Sequence, residues 1–364
     1  MKLGAFLMPN HPPDRDYAEG HYHNLDYLSF LDTTGFHEAW IGEHYTVPRE
    51  PCPAPDLLIA QALIRTKNIK LAPGAFLLPY HHPVELAHRI CWLDHISSGR
   101  CYFGIGASGV STDWAMFNVD GLSGENREMT EESFSIMRRF WESDGPFEYE
   151  GKFWTVRRPE SQVGGNFSFH LKPFTKPYPQ LGIAGLSPDS PTLKLAGAHD
   201  MIPLSLCLSN AYLASHWNSV KNGAEQVGRV ADRSKWRVGR DIFIGDTDAQ
   251  AKEMAVNSLM GDNYRSYFLP LFKHYNFLSA CKHDLDVPDS DVTVDYLADY
   301  CWLVGSPSTV EGKISDMIEK SGGFGCLLAT SYDHLDNFNG WRESKLALAH
   351  EVMPKFNSLA VETI

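Results

Sequence analysis

The chain has 364 residues, of which 43% are hydrophobic and 21% are charged, and its formal net charge is -13 at pH 7. This composition is ordinary for a globular protein with a large core, so disorder is a poor explanation of the sequence. The acidic balance, without a lysine and arginine cluster, argues against nucleic acid as a partner, and no apolar run approaches the roughly 20 residues that a membrane span needs.

Short β-branched or aromatic runs alternate with longer amphipathic stretches, and this order predicts repeated βα units around a parallel sheet. The predicted strands are residues 2–8, 39–43, 69–78, 101–105, 181–184, 201–206, 236–245 and 325–330. The predicted helices are residues 24–34, 55–65, 83–96, 124–141, 190–198 and 308–320. Ser190-Pro191 and Ser306-Pro307 each place a hydroxyl at a helix N-cap, before a proline in the first turn. Eight such strands predict an α/β fold, a closed (β/α)8 TIM barrel.

Two segments do not follow the βα repeat, namely residues 144–180 and residues 261–299. We predict that both are loop insertions. A minimal barrel of this kind needs about 250 residues, so two insertions account for the excess length without a second domain. The sequence therefore predicts one barrel domain over residues 1–364.

The seven cysteines are scattered without paired spacing and lie mostly in apolar contexts. This pattern favours reduced core thiols over disulfides or a zinc site. Met1 leads directly into a strand-like run rather than into a signal peptide. We therefore expect a cytoplasmic protein.

The second predicted strand ends in Glu43 and is followed by His44, a charged pair that rarely serves packing. In an α/β barrel the carboxyl ends of the strands carry ligands and catalytic side chains, so His44 is the first candidate for proton handling. The alternative is a partly buried histidine that is hydrogen-bonded to Glu43.

Residues 104–109, Gly-Ile-Gly-Ala-Ser-Gly, match the G-x-G-x-x-G pattern of dinucleotide sites. Such a site needs a helix at the third glycine, whereas residues 110–120 resemble an aromatic loop. We interpret these glycines as allowing a flat ligand to approach the backbone at a strand end.

Two histidine pairs, His21 with His23 and His81 with His82, raise the question of a metal site. No carboxylate set completes either pair, so we predict that the protein needs no metal. His82 before Pro83 more simply ends a loop and starts a helix.

Six segments occur in the order KLGAFLMPNHPP, GFHEAWIGEHY, LAPGAFLLPYHHPVELAHRICWLDHISSGRCYFGIGA, PLSL, LVGSPSTVEGKI and SGGFG. Together they resemble the bacterial luciferase-like superfamily of flavin-dependent monooxygenases, almost from end to end. Within it the chain looks closest to the diketocamphane and limonene-type monooxygenases. The resemblance implies a (β/α)8 barrel that binds reduced FMN at the carboxyl end of the strands and activates oxygen as a flavin 4a-hydroperoxide.

The resemblance also assigns residues to the site. His44 matches the family's active-site histidine, which manages protons near the reduced flavin, and we group Glu43 with it as catalytic. Gly74-Ala75 matches the position where relatives place a non-proline cis peptide that backs the flavin ring.

The turn from Ser187 to Ser190 resembles the family's phosphate-binding turn, and hydroxyls with free amides at a helix N-terminus favour an anion in any case. The alternative is an ordinary N-cap. Luciferases place an arginine after strand four, where this chain has Ala107 beside Gly106 in a cofactor-binding turn. The choice among FMN, FAD and a deazaflavin therefore stays open. Luciferases also have a second histidine where this chain has Tyr45, so we do not expect light emission.

Reactive oxygenated flavin must be kept dry, so we expect aromatic cover over the site. We assign five side chains to the substrate pocket: His11, Tyr45, Trp114, Phe117 and Trp302. Tyr264 and Tyr267 would add cover from the second insertion, which we predict to be a lid. Any one of these aromatic residues could equally serve loop packing.

The implied function is that of a two-component monooxygenase. A separate NAD(P)H flavin reductase would supply reduced FMN, because no convincing nicotinamide site is present. Molecular oxygen would then oxygenate a small apolar organic substrate, by Baeyer-Villiger chemistry, hydroxylation or epoxidation. The alternatives are a deazaflavin-dependent dehydrogenase on the same barrel and a non-catalytic flavin-binding subunit. The resemblance also implies a homodimer that pairs through barrel helices.

Overall fold

The computed structural model describes residues 1–335 and 338–357, and its strands and helices follow the predicted βα order. The strands are β1 Lys2–Leu7, β2 Glu38–Ile41, β3 Lys70–Pro73, β4 Phe76–Leu77, β5 Phe103–Gly106, β6 Phe147–Glu150, β7 Thr155–Arg158, β8 Leu181–Gly185, β9 Ile202–Ser205, β10 Arg237–Arg240, β11 Ile242–Ile244, β12 Leu303–Gly305 and β13 Cys326–Ser331. The helices are α1 Tyr17–Thr34, α2 Pro55–Arg65, α3 Pro83–Ile96, α4 Ser111–Met116, α5 Glu125–Glu142, α6 Pro191–Ala198, α7 Ala211–Gln226, α8 Asp248–Val256, α9 Leu259–Asn263, α10 Leu269–His274, α11 Val294–Tyr300, α12 Pro307–Ser321 and α13 Phe338–Ala347.

The main sheet is parallel and runs in the order β3-β2-β1-β13-β10-β9-β8-β5-β4. β3 and β4 belong to one barrel position, because only Gly74 and Ala75 separate them. Leu71 in β3 forms a parallel bridge with Cys101, just before β5. The sheet therefore closes on itself at eight strand positions, and the predicted (β/α)8 TIM barrel is confirmed.

The predicted strand at residues 236–245 is wrong in its second half. β10 ends at Arg240, and β11 pairs instead with β12 in a separate two-stranded sheet. The change of partner falls at Asp241, whose carbonyl accepts from the amide of Leu303 at 2.9 Å. Its buried carboxylate accepts hydrogen bonds from the hydroxyls of Tyr264 and Tyr332. These contacts draw the chain away from the barrel.

Both insertions contain strands or helices, whereas the sequence predicts loops. β6 and β7 form an antiparallel hairpin within the first. The second, which we call the cover segment (residues 261–299), is largely helical, because the end of α9, a π-helical turn at Tyr264–Phe268, α10 and α11 occupy much of it. The prediction of a loop at residues 110–120 is also wrong, since α4 lies there.

Of the two predicted caps, Ser190 behaves as expected, because its hydroxyl accepts from the amide of Leu193 at 3.4 Å. Ser306 occupies the N-cap of α12, but its side chain makes no hydrogen bond to a helix amide. Its hydroxyl is instead within 3.2 Å of the hydroxyls of Ser308 and Thr309, so the predicted cap interaction is wrong there.

The amino-terminal end of the barrel is closed by a buried ion pair, which we call the floor pair. Glu38 begins β2 and Arg237 begins β10, and the two side chains meet inside the sheet. Above them the interior is filled by apolar side chains that include Phe6, Trp40 and Leu328. The opening at the carboxyl ends of the strands is therefore where a ligand can enter.

Across residues 1–335 and 338–357, no helix is both long enough and apolar enough to cross a membrane.

Candidate active site

His44 lies at the carboxyl end of β2, on the rim of the barrel, with its side chain 16% exposed. Its Nε2 is 3.4 Å from Oε2 of Glu50, and its Nδ1 is 3.6 Å from Oδ2 of Asp113. The imidazole therefore stands between two carboxylates, both at ion-pair distance. The alternative of a histidine bonded to Glu43 is wrong, because the carboxylate of Glu43 has other partners.

Burial of His44 opposes its protonation, but the facing carboxylates of Asp113 and Glu50 outweigh that effect and raise the pKa of His44. An imidazole with a raised pKa carries its positive charge further toward neutral and alkaline pH. The facing carboxylates thus favour a positive charge on His44 in a largely buried setting.

Asp113 is fully buried in α4. Its Oδ1 accepts from the amide of Thr46 at 2.8 Å and from the Thr46 hydroxyl. Its Oδ2, which faces His44, has no hydrogen-bond partner within the described chain. Burial alone would raise the pKa of Asp113, but contacts with His44 and Thr46 lower it, so the group is ionised.

Glu43 is buried and fully engaged. Its Oε1 accepts from the hydroxyl of Tyr45 at 2.7 Å and from Nε2 of His81 at 2.8 Å, and its Oε2 accepts from the amide of Leu77 at 3.1 Å. These bonds tie the end of β2 to β4 and to the turn before α3. Glu43 therefore fixes the loop that carries His44.

Tyr45 begins an aromatic wall beside this site. Its ring packs edge-on against Phe117 with centroids 4.7 Å apart, and Phe117 stacks on Tyr80 at 4.2 Å. Trp114 lies half-buried in α4, against Gly121, where an added Cβ would stand 2.2 Å from the indole. The structure thus brings the predicted pocket residues Tyr45 and Phe117 together. Trp114 lies in α4, just before Phe117.

The structure does not bring the other two predicted pocket residues to this wall. His11 is buried, with Nδ1 2.7 Å from Asp333 and Nε2 3.0 Å from Asn24. Trp302 is fully buried and packs edge-on against Tyr264, with centroids 5.0 Å apart. Among the described hydrogen bonds and ring contacts, neither residue touches His44.

The peptide bond between Gly74 and Ala75 is cis, as the resemblance implies. A Cβ added at Gly106 would stand 3.5 Å from the Cβ of Ala75, so these small residues form one shallow surface. No atom lies within 4 Å of a Cβ added at Gly109. A surface without large side chains would let a flat ring system approach the backbone here.

The turn from Ser187 to Ser190 directly precedes α6. Ser190 is buried and caps the helix, while Ser187 is half-exposed and its carbonyl accepts from Nε2 of His216 at 2.9 Å. Burial lowers the pKa of His216, which keeps that ring neutral at neutral pH. In the described chain no lysine or arginine bonds to residues 186–192. An anion here would rely on amides and hydroxyls.

The histidine pairs have separate surroundings. His21 is 3.3 Å from the side-chain oxygen of Gln61, and His81 binds Glu43. Among residues 1–335 and 338–357, no three His, Cys, Asp or Glu side chains are grouped so as to hold a metal ion. His82 stands before Pro83 at the start of α3, as predicted.

Asp113 and Glu50 were missed by sequence reasoning. The helical signal at Ser111-Thr112-Asp113 could have indicated that Asp113 points inward from a short helix after strand four. No comparable signal marks Glu50, which lies in a proline-rich loop. Their shared role depends on how α4, which carries Asp113, and the loop after β2, which carries Glu50, fold over the same rim.

Known proteins are similar to this chain over most of its length. A model of the luciferase-like monooxygenases matches residues 1–323. The chain is 36% identical to 2,5-diketocamphane 1,2-monooxygenase 1 of Pseudomonas putida, over 98% of this chain and 99% of that one. It is 30% identical to limonene 1,2-monooxygenase of Rhodococcus erythropolis, over 98% and 86% of the two chains.

A solved structure is similar throughout its length. It is a type II Baeyer-Villiger monooxygenase, the oxygenating constituent of 3,6-diketocamphane monooxygenase from Pseudomonas putida, in complex with FMN. The TM-score is 0.91 and the sequences are 32% identical, with 98% of each chain covered.

Proposed function

The chain belongs to the luciferase-like monooxygenase family, and from that premise we propose that it is the oxygenase component of a two-component, FMN-dependent Baeyer-Villiger monooxygenase. The substrate we propose is a small apolar ketone. In the overall reaction the ketone, oxygen and reduced FMN give an ester or lactone, oxidised FMN and water. The observation that carries the proposal is His44, held between Asp113 and Glu50 at the mouth of the barrel.

The proposed flavin site has two parts. The surface of Gly74, Ala75 and Gly106 would back the ring, and Ser187 and Ser190 at the start of α6 would meet the phosphate. When bound, reduced FMN supplies the two electrons that activate oxygen. We propose that a separate NAD(P)H flavin reductase delivers it.

His44 would act as the proton-handling group, because its raised pKa lets both ring nitrogens carry protons near neutral pH. We assign Glu43 to fixing the loop that presents His44. Tyr45 and Phe117, with Tyr80 stacked behind them, would exclude water and contact the apolar substrate. A weakly polar aromatic wall suits a cyclic terpenoid ketone better than a charged substrate.

The test is rapid mixing of oxygen with the anaerobic protein and reduced FMN, followed by absorbance, with and without cyclic ketones. A transient species before oxidised flavin appears, together with one labelled oxygen atom from ¹⁸O₂ in the lactone, is the expected result. Reoxidation at the rate of free flavin, with no product, would overturn the proposal. A deazaflavin-dependent dehydrogenase would instead oxidise a substrate anaerobically.

We propose that the whole of residues 1–364 works as one catalytic unit and pairs as a homodimer. Four large apolar side chains are exposed on α2 and α3: Leu57 63%, Ile64 88%, Trp92 60% and Ile96 48%. Arg89 in α3 donates to Asp56 in α2 at 3.0 Å, which joins these helices. An exposed apolar face of this kind favours association. Light scattering should give a dimer mass, and Ile64→Glu with Trp92→Glu should give a monomer.

Free cysteine thiols, six of the seven buried, suit a reducing compartment. We therefore propose that the enzyme and its reductase work in the cytoplasm.

A further inference from the structure

The cover segment is held on the rim of the barrel by polar contacts. Arg49 donates to Oδ1 of Asn263 at 2.7 Å and pairs with Asp262 at 3.0 Å. The hydroxyls of Tyr275 and Ser111 are 2.8 Å apart. These contacts fix the position of the segment, but none of them touches His44.

Tyr267 makes the contact that reaches the candidate site. Its hydroxyl donates to Oε2 of Glu50 at 3.3 Å, and the same oxygen lies 3.4 Å from Nε2 of His44. The other oxygen of Glu50 accepts from Nδ2 of Asn10, also at 3.4 Å. Glu50 is 2% exposed, so water cannot easily replace any of these partners. One buried carboxylate oxygen is thus shared by the cover segment and the proton-handling ring.

We propose that Glu50 and Tyr267 are positioning residues that couple the seating of the cover segment to the proton on His44. With Tyr267 in place, Glu50 is held ionised and His44 is held protonated. With Tyr267 withdrawn, Glu50 takes up a proton more easily and His44 gives one up. The proposal rests on the proton-handling role proposed for His44.

The direction of this coupling follows from the burial of Glu50. Burial raises the pKa of Glu50, while His44, Tyr267 and Asn10 act against that rise. The negative charge of Glu50 is therefore marginal, and it depends on its donors. Removal of one donor favours neutral Glu50, which takes away one of the charges that raise the pKa of His44. By thermodynamic reciprocity, protonated His44 also favours the seated cover segment.

Other charged groups near the site do not provide the same link. The pKa of His44 is also influenced by Asp113 from α4 and by Glu43 from its own loop, and in the described chain neither forms a hydrogen bond or ion pair with the cover segment. Asp113 acts on Tyr267 through its charge, as one of the influences that raise the pKa of Tyr267. Tyr332, after β13, has its pKa raised mainly by burial and Asp241, with a smaller contribution from Glu50. Within the described residues, Tyr267 is the hydroxyl of the cover segment that donates to Glu50.

The test is the pKa of His44, measured by NMR titration of protein labelled with ¹⁵N-histidine, without flavin. The His44 signals are assigned by their absence in His44→Gln. Tyr267→Phe removes one hydroxyl, and we expect it to lower the pKa of His44 by roughly 0.5 unit. Glu50→Gln should lower it by about 1 unit or more, because it removes the charge itself. Tyr275→Phe is the matched control and should leave the pKa unchanged.

Hydrogen exchange of the cover segment gives the reciprocal readout. Exchange in the wild type should accelerate as pH rises through the pKa of His44, beyond the intrinsic effect of pH. Tyr267→Phe should abolish that acceleration, and Tyr275→Phe should keep it. A pKa in Tyr267→Phe that equals the wild-type value, or exceeds it, overturns the proposal.

These measurements separate the two proposals. If the protein fails to bind reduced FMN or to oxygenate ketones, the proposed function falls while the pKa shift still stands. If oxygenation occurs and Tyr267→Phe leaves the pKa of His44 unchanged, the function stands and the coupling falls. Should Glu50→Gln fail to fold, the comparison of Tyr267→Phe with Tyr275→Phe remains decisive.

Discussion

The two ends of the barrel hold buried charges in different ways. At the floor pair, Arg237 donates to both oxygens of Glu38, at 2.9 and 2.8 Å, and Trp40 adds a third donor at 2.8 Å. At the rim, His44 faces its two carboxylates at 3.4 and 3.6 Å, and Nδ1 of His44 has no hydrogen-bond partner in the described chain.

The two ends differ in how completely their buried charges are hydrogen-bonded, and this difference indicates different roles. Buried polar groups that are fully bonded hold a structure in one arrangement. Buried groups that are incompletely bonded cost stability, and they persist where a ligand or a proton completes them. The full bonding of the floor pair fits a structural closure, and the incomplete bonding of His44 at the rim supports the role proposed for it.

The largest effect on activity should come from His44→Gln. We expect the turnover of a ketone, with a flavin reductase present, to fall roughly 10²-fold to 10⁴-fold, since the variant cannot carry a proton in the same way. Its thermal unfolding should stay close to that of the wild type at alkaline pH, where the stabilising charge of His44 is lost in the wild type as well. Full turnover in His44→Gln would show that His44 is not the proton-handling group.

A change at the floor pair should reduce stability and leave activity unchanged, the reverse of the effect expected for His44→Gln. Arg237→Met leaves the buried charge of Glu38 without its cation, with Trp40 as a remaining donor, and we expect the free energy of unfolding to fall by about 3–5 kcal/mol. The activity per folded molecule should be retained. Urea denaturation measures the loss, and adding Glu38→Leu should recover part of it. A loss below about 1 kcal/mol would show that the floor pair contributes little.

A third change tests the electrostatics of the rim. Asp113→Asn removes one of the charges that raise the pKa of His44, so the activity should decline at a lower pH than in the wild type. We expect about a tenfold lower kcat/KM on the alkaline side, the equivalent of about 1 pKa unit. Thr46→Val is the matched control, because it removes a hydroxyl bonded to Asp113 but keeps the charge. Equal profiles for both variants would contradict the assignment.

The barrel and its site were predictable to different extents. Each barrel strand is marked by its own local apolar run, and Glu43-His44 was visible because it directly follows one of them. One partner of His44, Glu50, lies in the same loop after β2, and the other, Asp113, lies in α4. No local pattern records which carboxylates will meet over the rim. The same holds for the floor pair, whose members are 199 positions apart in sequence.

The errors in the predicted elements have a related cause. The run at residues 236–245 is continuous in sequence, but buried Asp241 binds Tyr264 and Tyr332 and diverts its second half to another partner strand. A tertiary contact here overrides a correct local preference. The sequence predicts a loop for the cover segment, whereas Tyr264 and Phe268 lie in a π-helical turn and pack against each other.

The smallest predicted effect is on the pH dependence of the unfolding free energy. It distinguishes the floor pair from the rim most directly. Arg237 outweighs burial and lowers the pKa of Glu38, so the stability from the floor pair is present above the ordinary pKa of 4.5 and is lost as pH falls through the lowered value. The pKa of His44 is raised, so its contribution is fully present below the ordinary value of 6.5 and is lost as pH rises through the raised value. We expect the second contribution to be the smaller of the two. Unfolding free energies measured from pH 3 to 9 should therefore show a smaller acid slope in Glu38→Gln and a smaller alkaline slope in His44→Gln, each relative to the wild type. If His44→Gln keeps the alkaline slope of the wild type, the carboxylates at the rim do not hold the proton of His44 in the folded state.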